Sequence, residues 1–168
     1  AAGEALVASG KVGEVTRVET DAALLAGARG AVAPAETVPF PPGSLDLAVS
    51  LYHLHEANDV PGMLVQIRRA LKADGLFLGC MAGAGTLAEL REALLAAETE
   101  LYGGASPRVF PFADVRDVGA LLQRAGFALP VTDLETVTVR YDTMFSLMRD
   151  LRAMGATNGL VARARRPA

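Results

Sequence analysis

The fold of this chain is decided by residues 38–61, which read VPFPPGSLDLAVSLYHLHEANDVP. Turn residues come first, then a short apolar run that predicts a buried strand, and then a polar and aromatic segment that leads into a helix. In an open α/β sheet, ligands bind at the carboxyl ends of the strands. We therefore expect residues 51–59 to form the chemical edge of this protein.

The residues that follow complete a strand–helix–strand unit. Apolar residues at helical spacing predict an amphipathic helix over residues 59–71, with Asn58 or Asp59 as its N-cap. Residues 74–75, Asp-Gly, predict a turn, and the apolar run 76–80 predicts a second buried strand. Two strands joined by one helix run parallel with a right-handed crossover. The sequence therefore predicts an α/β fold with a mainly parallel sheet.

Weaker patterns predict further elements on both sides of this unit. The predicted flanking elements are helices over residues 1–9, 22–28, 112–125 and 144–154, a helix opened by a Thr86–Glu89 capping box, and strands over residues 14–19, 31–33 and 136–141. No internal repeat and no linker divides the chain. We expect a single domain over residues 1–168.

Composition and charge narrow the class of protein. Of the 168 residues, 51% are hydrophobic and 21% are charged, which is typical of a globular protein, and the net charge of −3 provides no basic field for nucleic acid. Cys80 is the one cysteine, so no intrachain disulfide and no cysteine-based zinc site is expected. No apolar run approaches the roughly 20 residues of a membrane span. A soluble protein of a reducing compartment, the cytoplasm, is expected.

Glu19 is the first candidate for a binding residue. It ends a predicted strand and precedes a predicted helix. A carboxylate at this position of a nucleotide-binding fold accepts hydrogen bonds from both ribose hydroxyls, because its two oxygens match a vicinal diol. The alternative interpretation is an ordinary surface acid, and spacing alone leaves both open.

A polar and aromatic cluster follows the strand of residues 45–50. Its members are Tyr52, His53, His55, Glu56, Asn58 and Asp59. A metal site would need a third converging ligand, and none stands at suitable spacing, so no metal is expected. A histidine that lines a ligand pocket and a capped loop without a ligand both remain open. Residues 83–85, Gly-Ala-Gly, match either a phosphate loop or a closely packed turn.

Two stretches of the chain resemble a known family. VPFPPGSLDLAVSLYHLH and NDVPGMLVQIRRALKADGLFLG are similar to segments of class I S-adenosylmethionine-dependent methyltransferases with a type 11 domain. Within that family, TLAELREALLAAETELYGGASPRVFPFADVRDVGALLQRAGF and YDTMFSLMRDLRAMGATN resemble the branch that contains mitochondrial complex I assembly factor 5 and the malonyl-carrier-protein methyltransferase of biotin synthesis. The similarity extends over essentially the whole chain.

The resemblance implies a more detailed fold. It implies a Rossmann-like sheet, mostly parallel with an antiparallel C-terminal strand, and a helical insert over residues 86–126 on the substrate side. The family's first strand and its glycine-rich cofactor loop are expected before Ala1, and its last strand is expected after Ala168. Either the chain is a piece of a longer protein, incomplete at both ends, which is the favoured interpretation, or its cofactor site is incomplete.

The resemblance also implies site residues for S-adenosylmethionine and an acceptor. The expected cofactor-binding residues are Glu19 and Thr20 for the ribose, Glu36, Pro39 and Phe40 on the adenine side, and Leu51, Tyr52 and His55 near the sulfonium. Glu36 stands in for a family acid whose position holds Pro34. The expected substrate-side residues are Ala82, Gly83, Thr86 and Arg108. His55 is the one candidate for a catalytic group.

Three functions are therefore considered. The first is methyl transfer from S-adenosylmethionine to a small-molecule or protein acceptor. The second is an assembly factor that binds or modifies a respiratory-complex subunit, for example by arginine hydroxylation. The third is a degenerate family member without catalytic activity. The sequence predicts no oligomeric state.

Overall fold

The computed structural model describes residues 2–156 of the chain. They fall into two compact units. The first unit comprises Ala1–Met81 and Val118–Val131, and the second comprises Ala82–Asp117 and Thr132–Ala168. The first unit carries the strands and the predicted cofactor segments, and the second carries the predicted substrate-side residues.

The order of elements follows the sequence prediction closely in the first half of the chain. Helices are α1 (Ala2–Ala8), α2 (Ala22–Leu25), α3 (Val60–Ala70), α4 (Ala88–Tyr102), α5 (Val115–Arg124) and α6 (Met144–Ala153), and strands are β1 (Arg17–Glu19), β2 (Gly30–Val32), β3 (Leu45–Leu51) and β4 (Leu71–Cys80). A 3₁₀ turn occupies Leu54–Glu56. Ala1, the first residue of the predicted N-terminal helix, lies outside the described residues.

The predicted strand–helix–strand unit is confirmed. β3 pairs in parallel with β4, and α3 is the crossover between them. The register shifts once, because Leu45 pairs with Leu71 while Leu47 pairs with Leu76. The predicted turn lies inside this shift, where Asp74 has a φ of 61°. β1 and β2 form a second parallel pair.

Helix α3 owes its position to its apolar stripe and its cap. Met63, Leu64 and Ile67 are buried, at the i, i+1 and i+4 spacing of a single helix face. Asp59 is the N-cap, and its Oδ1 accepts a hydrogen bond of 2.8 Å from the Gly62 amide. This bond satisfies one of the amides that a helix start leaves without an intrahelical partner.

The core of the first unit gathers around α3. Leu54, Met63, Leu64 and Leu122 form its buried cluster, and Phe77 packs against that cluster. The Phe77 ring also lies 5.6 Å from the Phe127 ring, centroid to centroid. Alternation along β4 directs its other apolar residues to the opposite face. On that face, Val49, Leu51, Leu76 and Leu78 are all exposed.

Two sequence predictions about the second unit are wrong. The Thr86–Glu89 capping box does not form, because α4 begins at Ala88 with Leu87 at the N-cap, in a left-handed conformation and without a side-chain cap. The predicted antiparallel strand over residues 136–141 is also absent, since residues 132–141 carry neither strand nor helix. A strand needs a hydrogen-bonded neighbour, and within residues 2–156 no strand pairs with this segment.

Among the described residues, no helix combines the length and the apolar character that crossing a membrane requires.

The cap of α3 provides a test of this fold. Asp59→Ala should destabilise the protein by about 1 kcal/mol, because the Gly62 amide loses its acceptor. Asp59→Asn is the matched control and should retain most of that stability, since the amide oxygen can accept the same bond. Chemical denaturation measures both. Equal stability of Asp59→Ala and the wild type would contradict the proposed role of the cap.

Candidate functional site

Glu19 lies at the carboxyl end of β1, as the sequence predicted. Its backbone carbonyl accepts a hydrogen bond of 3.1 Å from the Ala33 amide just past β2. Its side chain is 29% exposed, and the nearest cation is the Arg17 Nη2 at 3.9 Å, the outer limit of an ion pair. Thr20 follows and is exposed. Within residues 2–156, the Glu19 carboxylate thus combines partial burial with a single weak ion pair.

Tyr52 marks the point where β3 ends. Its amide donates a hydrogen bond of 2.8 Å to the Cys80 carbonyl at the end of β4. Its φ of 51° places it in the left-handed region, which costs a residue with a side chain about 1–2 kcal/mol. The ring is 65% exposed. Such strain recurs at ligand sites, where the surrounding structure holds it in place.

His55 faces the same end of the strand. Its ring meets the Tyr52 ring edge to face, with centroids 6.2 Å apart and planes at 85°. Burial lowers the pKa of the His55 imidazole below 6.5, with a smaller lowering from His53 and an opposing effect of Glu56. Burial thus favours the neutral imidazole, the form that can accept a proton.

This lowered pKa is directly measurable. We expect His55, followed by NMR in the folded protein, to titrate at a lower pH than the same residue in denaturant, because burial disfavours the charged imidazolium. The unfolded state then binds more protons in this interval, so His55 makes stability decrease as pH falls through it. Identical titration midpoints in the two states would contradict this.

Glu36 has well-defined protein partners. Its Oε1 accepts hydrogen bonds from the Asn58 amide at 2.6 Å and from Asn58 Nδ2 at 2.9 Å, and its Oε2 accepts one from the Asp59 amide at 3.3 Å. The bonds from Asn58 are the main reason that the pKa of Glu36 is lowered. The adenine-side segment beyond it contains exposed Pro39 and half-buried Phe40.

The first predicted substrate-side residues form a turn before α4. The Thr86 amide donates to the Gly83 carbonyl at 3.1 Å, and the Ala84 amide donates to the Ala113 carbonyl at 2.9 Å. Arg91 Nη2 reaches the Thr86 carbonyl at 3.3 Å. Ala82 is half-buried. This loop is therefore held by backbone bonds, and its side chains are small.

Arg108 is held by an acid that the sequence prediction missed. Arg108 Nε donates to Glu98 Oε1 at 2.5 Å, and Arg108 Nη2 donates to the same oxygen. The other oxygen, Oε2, accepts the Ser106 amide at 2.7 Å. These bonds lower the pKa of Glu98, which is only 8% exposed. Glu98 could have been found, because it interrupts an apolar stripe between Leu94 and Leu101, where a charge needs a partner.

A cavity of about 490 Å³ lies beside Arg108. Its lining is mainly apolar, with Leu94, Leu95 and Val109 among the side chains and the two cations Arg91 and Arg108. This volume falls within the range of small-molecule sites.

No group of three or more histidine, cysteine or acidic side chains within residues 2–156 could hold a metal ion. Cys80, the last residue of the run that predicts a buried strand, is exposed instead. It follows Gly79 at the end of β4, on the strand face that the core does not cover.

The role of Glu98 can be tested by substitution. Glu98→Ala should lower the melting temperature more than Glu98→Gln, because glutamine keeps one acceptor oxygen for either Arg108 or the Ser106 amide. Glu100→Ala, an exposed glutamate of the same helix, is the control and should have little effect. Because the folded-state pKa lies below 4.5, the stability that Glu98 provides should be complete above that pH and lost as pH falls further. Equal melting temperatures of wild type and Glu98→Ala would refute this role.

Comparison with known proteins shows what the chain is similar to. Residues 2–79 match the family model described as a methyltransferase domain. The arginine-hydroxylase NDUFAF5, mitochondrial, of Rattus norvegicus is 50% identical over 123 residues, which cover 73% of this chain and 36% of that protein. The malonyl-[acyl-carrier protein] O-methyltransferase of Laribacter hongkongensis is 39% identical over 130 residues, which cover 77% of this chain and 42% of that protein.

Residues 2–79 of this chain are thus similar to a methyltransferase domain. A solved structure of a SAM-dependent methyltransferase from Thermotoga maritima, described as a possible histamine N-methyltransferase, shares the fold with a TM-score of 0.51. It is 20% identical, and the match covers 67% of this chain and 54% of that one. The predicted branch and the predicted Rossmann-like α/β class are confirmed. The matched family model and the second of these relatives are both methyltransferases by description.

The chain spans 36% to 42% of the length of these two curated relatives. The activity, acceptor and partners of the whole protein are therefore matters for proposal.

Proposed function

We propose that the protein is an S-adenosylmethionine-dependent methyltransferase that acts on a small-molecule or protein acceptor. The observation that carries this proposal is the position of Glu19. Its carboxylate lies at the carboxyl end of a parallel strand, is partly buried and, among the described residues, has Arg17 as a weak ion-pair partner. These are the properties that recognition of a ribose diol needs.

The other cofactor contacts are assigned to the first unit of the chain. Thr20 follows Glu19 and is exposed beside it. Phe40 and Pro39 offer an apolar surface to the adenine. The sulfonium side is assigned to residues at and just after the end of β3, namely Leu51, Tyr52 and His55. An acceptor for the ribose at Glu19 and an apolar surface for the adenine at Pro39 and Phe40 are the groups that this nucleoside requires.

When bound, the cofactor supplies a methyl group on a positively charged sulfur. S-adenosylmethionine held by Glu19, Phe40 and Tyr52 would offer this methyl group to a lone pair of the acceptor, with the neutral thioether as the leaving group. The protein contributes mainly by holding the acceptor in line with that bond. If the acceptor carries a proton, the neutral imidazole of His55 or solvent takes it.

Acceptor recognition is assigned to the second unit. Ala82, Gly83 and Thr86 provide small side chains in a loop held by backbone bonds, which leaves room for a ligand. Arg108, oriented by Glu98, lines the cavity and can bind an anionic or polar group.

A second candidate function is modification of a respiratory-complex subunit. The specific observation in its favour is that identity to the mitochondrial arginine-hydroxylase is 50%, against 39% to the malonyl-carrier-protein enzyme. The acceptor would then be a protein side chain. The expected cytoplasmic location stays a prediction, since this relative is mitochondrial by name. A degenerate, non-catalytic family member is the alternative that failure to bind cofactor would support.

Cofactor binding is the first test of this proposal. S-adenosylmethionine should raise the melting temperature of the intact protein, because a ligand that binds only the folded state stabilises it. Glu19→Ala should weaken binding by about 1–3 kcal/mol, the cost of losing charge-assisted hydrogen bonds to the ribose. Isothermal titration calorimetry measures the affinity directly.

Glu14→Ala is the matched control for Glu19. Glu14 is an exposed acid that pairs with Arg29 at 2.8 Å, and it lies outside the predicted site. Its removal should leave the affinity unchanged. If millimolar S-adenosylmethionine causes no thermal shift in the wild type, the methyltransferase proposal fails. If Glu19→Ala and Glu14→Ala bind equally well, Glu19 is only a surface acid.

A further inference from the structure

The loop of residues 37–40 starts from a strained residue. Glu36 has a φ of 63°, in the left-handed region where glycine is the usual residue. A side chain in this region costs about 1–2 kcal/mol, so other contacts must hold the conformation. Glutamate at this position therefore needs a reason that glycine would not supply.

The carboxylate of Glu36 provides that reason. Both of its oxygens accept hydrogen bonds, one from the amide and the side chain of Asn58 and the other from the Asp59 amide. Asn58 and Asp59 directly follow the segment that includes Tyr52 and His55, and Asp59 caps α3. One side chain thus connects the two stretches assigned to the cofactor, residues 36–40 and residues 51–59.

A second clamp acts on the backbone of the same loop. Gln66 lies on α3, and its Oε1 accepts the Val38 amide at 3.1 Å. Its Nε2 donates to the Glu36 carbonyl at 3.0 Å. The peptide groups on both sides of Thr37 are therefore tied to α3. Glu36 and Gln66 together determine the path by which the chain reaches Pro39 and Phe40.

We propose that Glu36 is a positioning residue, which shapes the cofactor loop through Asn58 and Asp59 and does not itself bind the adenine. This inference rests on the proposed function and specifies how the adenine side of that site is built. Three protein donors use three of the roughly four acceptor sites of this carboxylate, so at most one lone pair of Oε2 is left for a ligand. Positioning leaves these bonds intact and assigns the direct contacts to residues beyond Thr37.

The two roles predict different ligand preferences. If Glu36 binds the adenine amino group directly, its replacement should abolish the protein's preference for adenine over a purine without that group. If Glu36 is a positioning residue, its replacement should weaken the binding of both ligands by the same factor, because the whole loop moves. S-adenosylhomocysteine and its analogue with unsubstituted purine are the two probes.

The test compares Glu36→Ala, Glu36→Gln and Gln66→Ala in the intact protein by calorimetry. Glu36→Ala should weaken S-adenosylhomocysteine binding about tenfold, the effect of losing a charge-assisted hydrogen-bond network. Glu36→Gln should recover part of this loss, because its amide oxygen can still accept the bonds from Asn58. Gln66→Ala should reproduce the weakening, although Gln66 bonds to the loop backbone and is assigned no contact with the cofactor. In the double variant Glu36→Ala/Gln66→Ala, the loss of binding free energy should be smaller than the sum of the two single losses.

Gln123→Ala, an exposed glutamine on α5, is the control for the helix substitution and should bind like the wild type. Melting curves confirm that each variant is folded at the temperature of the titration, and Gln66→Ala keeps the inference testable if Glu36→Ala unfolds. Loss of the adenine preference in Glu36→Gln would overturn the positioning role. Wild-type affinity in Glu36→Ala and Gln66→Ala would overturn it too. A wild type that binds neither probe would instead overturn the proposed function.

Discussion

The parallel pairing of β3 and β4 is the constraint on which the first unit depends. Two parallel strands cannot be joined by a tight turn, so the chain must cross over, and α3 makes this crossing. The helix then has to bury its apolar stripe against the strands, which brings Met63, Leu64 and Ile67 into the core. It also brings both strand ends to one edge, where Tyr52 bonds to the Cys80 carbonyl. The candidate site follows from this geometry.

Polar side chains hold the loops at the edges of this strand–helix–strand unit through hydrogen bonds. Asp59 starts α3, Glu36 ties the preceding loop to that start, and Gln66 holds the loop from the side of the helix. In the second unit, Glu98 does the same for Arg108 and Ser106. In both places an acid accepts three hydrogen bonds and its pKa is lowered accordingly. The bonds hold loops whose own backbones have no regular partner.

The similarity to methyltransferases and the geometry of the candidate site account for different features of the protein. The similarity to methyltransferases accounts for the expected α/β class and for the proposed cofactor. The structure accounts for which atoms are available, since the Glu19 carboxylate has one weak partner while the Glu36 carboxylate has three donors. Two acids that the resemblance assigned to the same cofactor are thus in different electrostatic situations. The proposed division of roles, with Glu19 as ligand and Glu36 as positioning residue, rests on this difference.

The sequence by itself determined the elements whose signals are local. The apolar spacing of α3, its Asp59 cap and the buried runs of β3 and β4 could all be predicted, because a helix stripe and a strand run depend on neighbours a few residues away. The tertiary structure alone decided the rest. The left-handed Leu87 replaced the expected Thr86 cap, residues 136–141 formed no strand, and Glu98 found Arg108 ten residues away. Ladder bonds, buried ion pairs and the bonds that hold strained residues require groups distant in sequence, and no local pattern specifies where those groups will meet.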